Sequence, residues 1–205
     1  MAYTGAEVIT MAQRLLVDIS DDAYLTDALT YLNEAQKRFA SETHCNQSMR
    51  SVTFTGNSAT LASIASSFTA AQEIAYITKI QYYSTDKWIS LPKAPVSEMK
   101  DLPVVATVIP TRWTVFGDTI YLDLDHAAAS LTLLTKVFCT YIPIDLATTA
   151  SDVAIPIQWT EALVQYIVYC CRVADRDAGL ANGAFADYDA IRQQAATFYK
   201  NQVGG

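Results

Sequence analysis

Between Trp159 and Val173 the chain offers almost no polar face. Trp159, Leu163, Tyr166, Ile167, Cys170 and Val173 recur at helical spacing, and Ala162, Val164, Val168 and Cys171 fill the other sides. A helix that is apolar most of the way round must be covered on several sides. In a chain of 205 residues that puts it at the centre of a helical body or on a face shared with a neighbouring subunit. Trp159 and Tyr166 are the large amphipathic rings suited to anchor such a contact. No run reaches the roughly 18 apolar residues that a membrane span needs.

Other helices must therefore surround it. Val8, Ala12, Leu15, Leu16 and Ile19 mark an amphipathic helix over residues 5–19, with Thr4 at its cap position. A second helix is predicted in "TDALTYLNEAQKRFASET", capped by Thr26 or Asp22, with Leu25, Ala28, Leu29, Leu32, Ala35 and Phe39 as its stripe. After the long apolar segment, "GLANG" (179–183) reads as a break. A last helix then spans about 184–202 on Ala184, Tyr188, Ile191, Ala195 and Phe198.

The middle has a different texture. "RSVTFT", "EIAYITKIQYY", "KWISL" and "SLTLLTKVFCTYIP" are β-branched and aromatic, and "RWTVF" and "TIYLDLD" flank Gly117-Asp118 as a hairpin. Four of the six prolines fall in "PKAPVSEMKDLPVVATVIP", an irregular connection with a short helix near 96–101. The order predicts an α+β fold: a four-helix body, two helices from each end of the chain, with a β-rich insert. The parts are 1–46, 47–145 and 146–205, forming one composite domain.

Charge and cysteines narrow the function. Only 17% of residues are charged, against an average of about 25%, as expected if neighbours cover some of the surface. The net charge is −7 with no basic run, which argues against specific or phosphate-driven nucleic-acid binding. Cys45, Cys139, Cys170 and Cys171 form no CxxC pair, and the adjacent two point about 100° apart on a helix. They read as reduced, buried hydrophobes. The first residues carry Glu7 and no basic start, unlike a secretory signal.

Candidate chemistry is sparse. His44-Cys45 lacks a second ligand pair and reads as a helix end. In "DLDH" (123–126), Asp123 and Asp125 would share one strand face with His126 opposite, most simply facing solvent. "SDD" (20–22) and "ADRDAG" (174–179) read as helix-end carboxylates. No phosphate-cradling glycine loop, nucleophile elbow or HExxH motif occurs. No cofactor, metal or catalytic residue is expected.

The stretch "LTDALTYLNEAQKRFA" resembles the opening helix of head-to-tail adaptor (connector) proteins of tailed bacteriophages, through Thr26, Asp27 and then Leu32, Asn33, Glu34 and Ala35. The likeness continues in "GDTIYLDLD", "LTLLTKVFCTYIPIDL", "IPIQWTEALVQYIVYCCRVADRD" and "AFADYDAIRQQAATFY". The resemblance implies a non-enzymatic virion component, made in the host cytoplasm and assembled as a homo-oligomeric ring. Such rings commonly hold twelve copies, join the portal protein to a downstream tail component, and let the genome pass through the lumen. It points to Phe198, Tyr199, Gln202 and Val203 for portal docking, and to Trp159, Tyr166 and Tyr169 for subunit contacts. The helical body would form the ring and the insert would face the tail. The alternatives are another tail-completion or virion assembly protein, or a small-ligand-binding or enzymatic α+β domain.

Overall fold

The computed structural model describes residues 2–17, 26–55, 57–66, 72–84, 86–100, 109–123 and 132–203. The expectations placed on Ile19, Asp21, Asp22, Leu25, Asp125 and His126 lie outside these residues. The chain is mixed α+β and divides into two compact units, residues 1–46 with 141–205, and residues 47–140.

The first unit is helical. Helix α1 (Gly5–Leu15) opens on a capping box: Glu7 N donates to Thr4 Oγ1 (3.3 Å), and Thr4 N donates to Glu7 Oε2 (2.8 Å). Helix α2 (Ala28–Thr43) has Asp27 at its cap position rather than Thr26, and no side chain caps it. It ends at His44, whose φ of 56° is the left-handed turn that stops a helix; His44 N donates to Ala40 O at 2.9 Å.

The apolar segment begins with one 3-10 turn, Ile157–Trp159, and continues as a helix over Thr160–Ala174. The last helix is Ala178–Val203. With two short helices in the other unit, Leu61–Ala65 (α3) and Val96–Lys100 (α4), these long ones are α5 and α6. Helix α5 packs against α1, α2 and α6. Ala162, Leu163, Ile167 and Cys171 have no exposed surface, and removing a Leu or Ile side chain from water contributes about 1.5–3 kcal/mol. The buried arc differs from the predicted stripe at one end, because Val173 is 52% exposed.

The break before α6 also falls elsewhere than predicted. Residues 179–183 are helical, and the chain turns at Asp175–Asp177. Arg176 adopts φ 61°, Asp177 N returns to Arg172 O (3.0 Å), and Asp177 Oδ1 accepts Leu180 N (3.0 Å). The aspartate cap starts the helix early enough to absorb both glycines.

The second unit is one antiparallel-paired sheet. Its strands are Gln47–Thr55 (β1), Ser58–Thr60 (β2), Glu73–Ser84 (β3), Lys87–Leu91 (β4), Trp113–Phe116 (β5), Thr119–Leu122 (β6) and Thr132–Ile142 (β7), in the order β4-β3-β7-β1-β2-β6-β5. The ladder of β1 with β7 runs unbroken from Gln47↔Thr140 to Thr55↔Thr132. Alternation puts Val52, Phe54, Val137 and Cys139 inside and leaves Met49 and Leu134 outside. Gly117, at φ 57°, makes the turn between β5 and β6. The sheet's two edges meet: just after β4, Trp113 N donates to Pro92 O (3.1 Å), Ala94 N to Trp113 O (2.8 Å), and Trp113 Nε1 to Leu91 O (3.0 Å).

Candidate functional site

The segment Leu32–Gln36, central to the resemblance, has a structural task at each residue. Leu32 and Ala35 point into the helical core with no exposed surface. Asn33 grips the backbone of Leu146 from both sides: its Nδ2 donates to Leu146 O (3.2 Å), and its Oδ1 accepts Leu146 N (2.8 Å). Glu34 Oε1 accepts the Tyr166 hydroxyl at 2.6 Å. Gln36, fully buried, accepts Ala154 N (3.2 Å) and donates to Asn33 Oδ1 (3.2 Å). Lys37 adds an exposed ion pair to Asp145 at 2.7 Å, worth little in water. One turn of α2 therefore fastens the strap of residues 145–154. The strap in turn holds the start of the chain through Gly5 N to Ser151 O (3.0 Å) and Val153 N to Tyr3 O (2.8 Å).

Above this clasp lies an aromatic layer. The Arg38 guanidinium sits 5.6 Å from the Tyr166 and Phe185 ring centres and 5.9 Å from that of Tyr188. Burial, then the bond to Glu34, pushes the Tyr166 phenol up to about 12. Tyr166 is buried in its own subunit, and Tyr169 is half-buried against it and Phe185. Trp159 joins this layer through Phe39, whose ring centre lies 6.4 Å from that of Tyr188. Trp159 Nε1 donates to the Tyr199 hydroxyl (3.2 Å), and the Trp159 ring meets Phe198 at 6.1 Å and Phe39 at 6.5 Å.

The residues expected at the docking end differ in exposure. Tyr199 is buried, whereas Phe198 is 44% exposed and borders an open groove with Gln194, Thr197 and Asn201. Gln202 and Val203 form the last turn of α6.

The candidate reactive groups are occupied with structure. Asp123, with a side chain only 4% exposed, accepts Thr111 N (2.7 Å) and Arg112 N (3.0 Å), bonds the Thr111 hydroxyl, and pairs with Arg112. Burial pushes the thiols of Cys45, Cys139 and Cys171 up to about 11 and that of Cys170 up to about 12. At neutral pH they are thiols, not the nucleophilic thiolates. Among the described residues no group of three or more His, Cys, Asp or Glu could hold a metal ion. No described helix is long and apolar enough to cross a membrane.

Sequence reasoning missed the clasp, because its partners are 108–118 residues apart. The polar Asn33 and Gln36 on the buried side of an amphipathic helix were the available signal. Charge is also segregated. The helical unit contains fourteen acidic and seven basic residues, and the β-rich unit seven of each. The whole excess of −7 thus sits on the helical unit. The family model described as SU10 adaptor protein matches residues 3–204. No curated protein matches the chain.

Proposed function

Because the chain belongs to the SU10 adaptor protein family, whose members are structural adaptors of bacteriophages rather than enzymes, we propose that it is a head-to-tail adaptor. Copies assemble as a ring, with twelve the expected number, beneath the portal protein. The ring joins the portal to the next tail component in the virion, and the genome passes through its lumen. The observation that carries this reading is the family match along nearly the whole chain.

In this reading the four long helices form the body and the β-rich part is an insert that reaches the tail component. The limits expected from the sequence, 1–46, 47–145 and 146–205, lie within about five residues of those of the two compact units, whose second boundary falls at 140/141. The last turns of α6 dock on the portal through Phe198, Gln202 and Val203, while Tyr199, expected at the same surface, is buried against Trp159 and supports Phe198 from beneath. Phe198 leads, because its ring is 44% exposed at the edge of a groove. Trp159 and Tyr169 supply the half-buried edges of the subunit contact, and Tyr166 supports Tyr169 from beneath at 5.8 Å between ring centres. The acidic helical unit suits a lumen that must let DNA slide without holding it. The chain resides in the virion and, during assembly, in the host cytoplasm.

The test is co-expression with the portal protein of the same phage, followed by native mass spectrometry. A ring-sized complex containing both proteins is expected, and Phe198→Ala should lower the share bound to portal. If the chain ignores the portal at micromolar concentration, the reading is wrong.

A further inference from the structure

On β1, β7, β3 and β4 one sheet face points to solvent, and its make-up is unusual for this chain. Met49 opposes Phe138 across the β1–β7 ladder, and Tyr83 opposes Trp88 across β3–β4 with ring centres 5.2 Å apart. Two lysines lie over these rings: Lys136 Nζ is 4.1 Å from the Trp88 ring centre and Lys79 Nζ 5.6 Å from that of Phe138. Met49 and Tyr83 remain 45% and 44% exposed. Strands β1, β4 and β7 contain no carboxylate, and β3 has only Glu73, at its first position. Trp, Tyr, Phe and Met grouped on an exposed face are the residues enriched at protein contacts. Their lysines select an acidic partner.

We propose that this face docks the acidic helical unit of a second copy of the chain. A ring requires a heterologous contact, in which two different patches of the same chain fit each other. The charge distribution supplies such a pair, because the helical unit carries the entire −7 and the β-rich unit is neutral. The helical unit also offers apolar surface to meet the rings: Val173 and Leu180, each 52% exposed, flank Asp175, Arg176 and Asp177 at the α5–α6 turn, and Asp187, two turns beyond Leu180 on the same face of α6, adds an exposed carboxylate. The proposal rests on the ring reading above.

The test uses rings assembled on the portal from equal parts of two chains. One carries a photo-crosslinking phenylalanine analogue in place of Trp88, and the other is labelled with heavy nitrogen. Light-to-heavy crosslinks into residues 1–46 or 141–205 are expected. In parallel, Lys79→Glu with Lys136→Glu should lower ring yield about tenfold or more while the melting temperature of the free chain stays near that of wild type. Crosslinks only to another β-rich unit, to portal, to a tail protein or to DNA would overturn the proposal. So would normal ring yield for the doubly substituted chain. A wild-type chain that forms no ring at all removes the ring reading first, and this contact with it.

Discussion

Asn33→Ala tests whether the clasp between α2 and the 145–154 strap stabilises the helical unit. The substitution removes both bonds to Leu146, at 3.2 and 2.8 Å, and the acceptor of Gln36 Nε2 at 3.2 Å. A neutral hydrogen bond contributes about 0.5–1.5 kcal/mol net, so the three together amount to about 3 kcal/mol. Asn33 is only half-buried, so water replaces part of this, and alanine returns about 0.5 kcal/mol of helix propensity. The net loss is about 2 kcal/mol, roughly thirtyfold in the unfolding constant. Urea unfolding read by tryptophan fluorescence measures the total, and hydrogen exchange at the Leu146 amide shows whether the loss is local. Asn33→Asp is the control: it keeps an acceptor for Leu146 N but sets a carboxylate against Leu146 O. It should preserve the amide's protection while still lowering stability. If Asn33→Ala changes stability by less than about 0.5 kcal/mol and leaves Leu146 exchange unaltered, the strap is held by something other than this side chain.

Two further outcomes are expected. Gly183→Ala should stabilise the chain by about 0.5–1 kcal/mol, because the residue is exposed within α6 and an added Cβ meets nothing within 4 Å; a fall in melting temperature would contradict the continuous helix. Stability should also decline in alkali. The buried thiols and the Tyr166 phenol are raised from 9.0 and 10.0 to about 11–12. Between those limits the folded state binds more protons than the unfolded one, so the stability present below pH 9 is lost as pH rises through the folded values. A melting temperature that is flat or rising from pH 9 to 11, with phenolate absorbance appearing at its ordinary pH, would contradict that burial.

Much of this was legible in local patterns. Thr4 announced the cap of the first helix, Gly117-Asp118 announced a turn, and the apolar run from Trp159 announced a helix covered on several sides. What failed was the boundary before α6. There two glycines read as punctuation, but the competing signal, Asp177 as a cap after the left-handed Arg176, decided the geometry. The roles of Asn33 and Gln36 were not legible, because nothing local says which backbone more than a hundred residues away needs a partner. The meeting of the sheet's edges was equally hidden, since Trp113 pairs with a segment some twenty residues earlier in an irregular stretch.

The β1–β7 ladder also bears on how folding of the two parts is coupled. The helical unit is made from two pieces of chain, and Asn46 and Tyr141, where the pieces meet, are joined by one backbone bond of 3.0 Å. With residues 47–140 unfolded, bringing those pieces together closes a long loop at an entropic cost of about 4 kcal/mol. Once β1 and β7 have zipped from Thr55↔Thr132 to Gln47↔Thr140, the two ends are already side by side and that cost has been met. The ladder then works as a reversible crosslink on the unfolded helices. Docked helices would do the same for the ladder, so the two are coupled, and mutations that weaken the ladder should destabilise the helices they never touch.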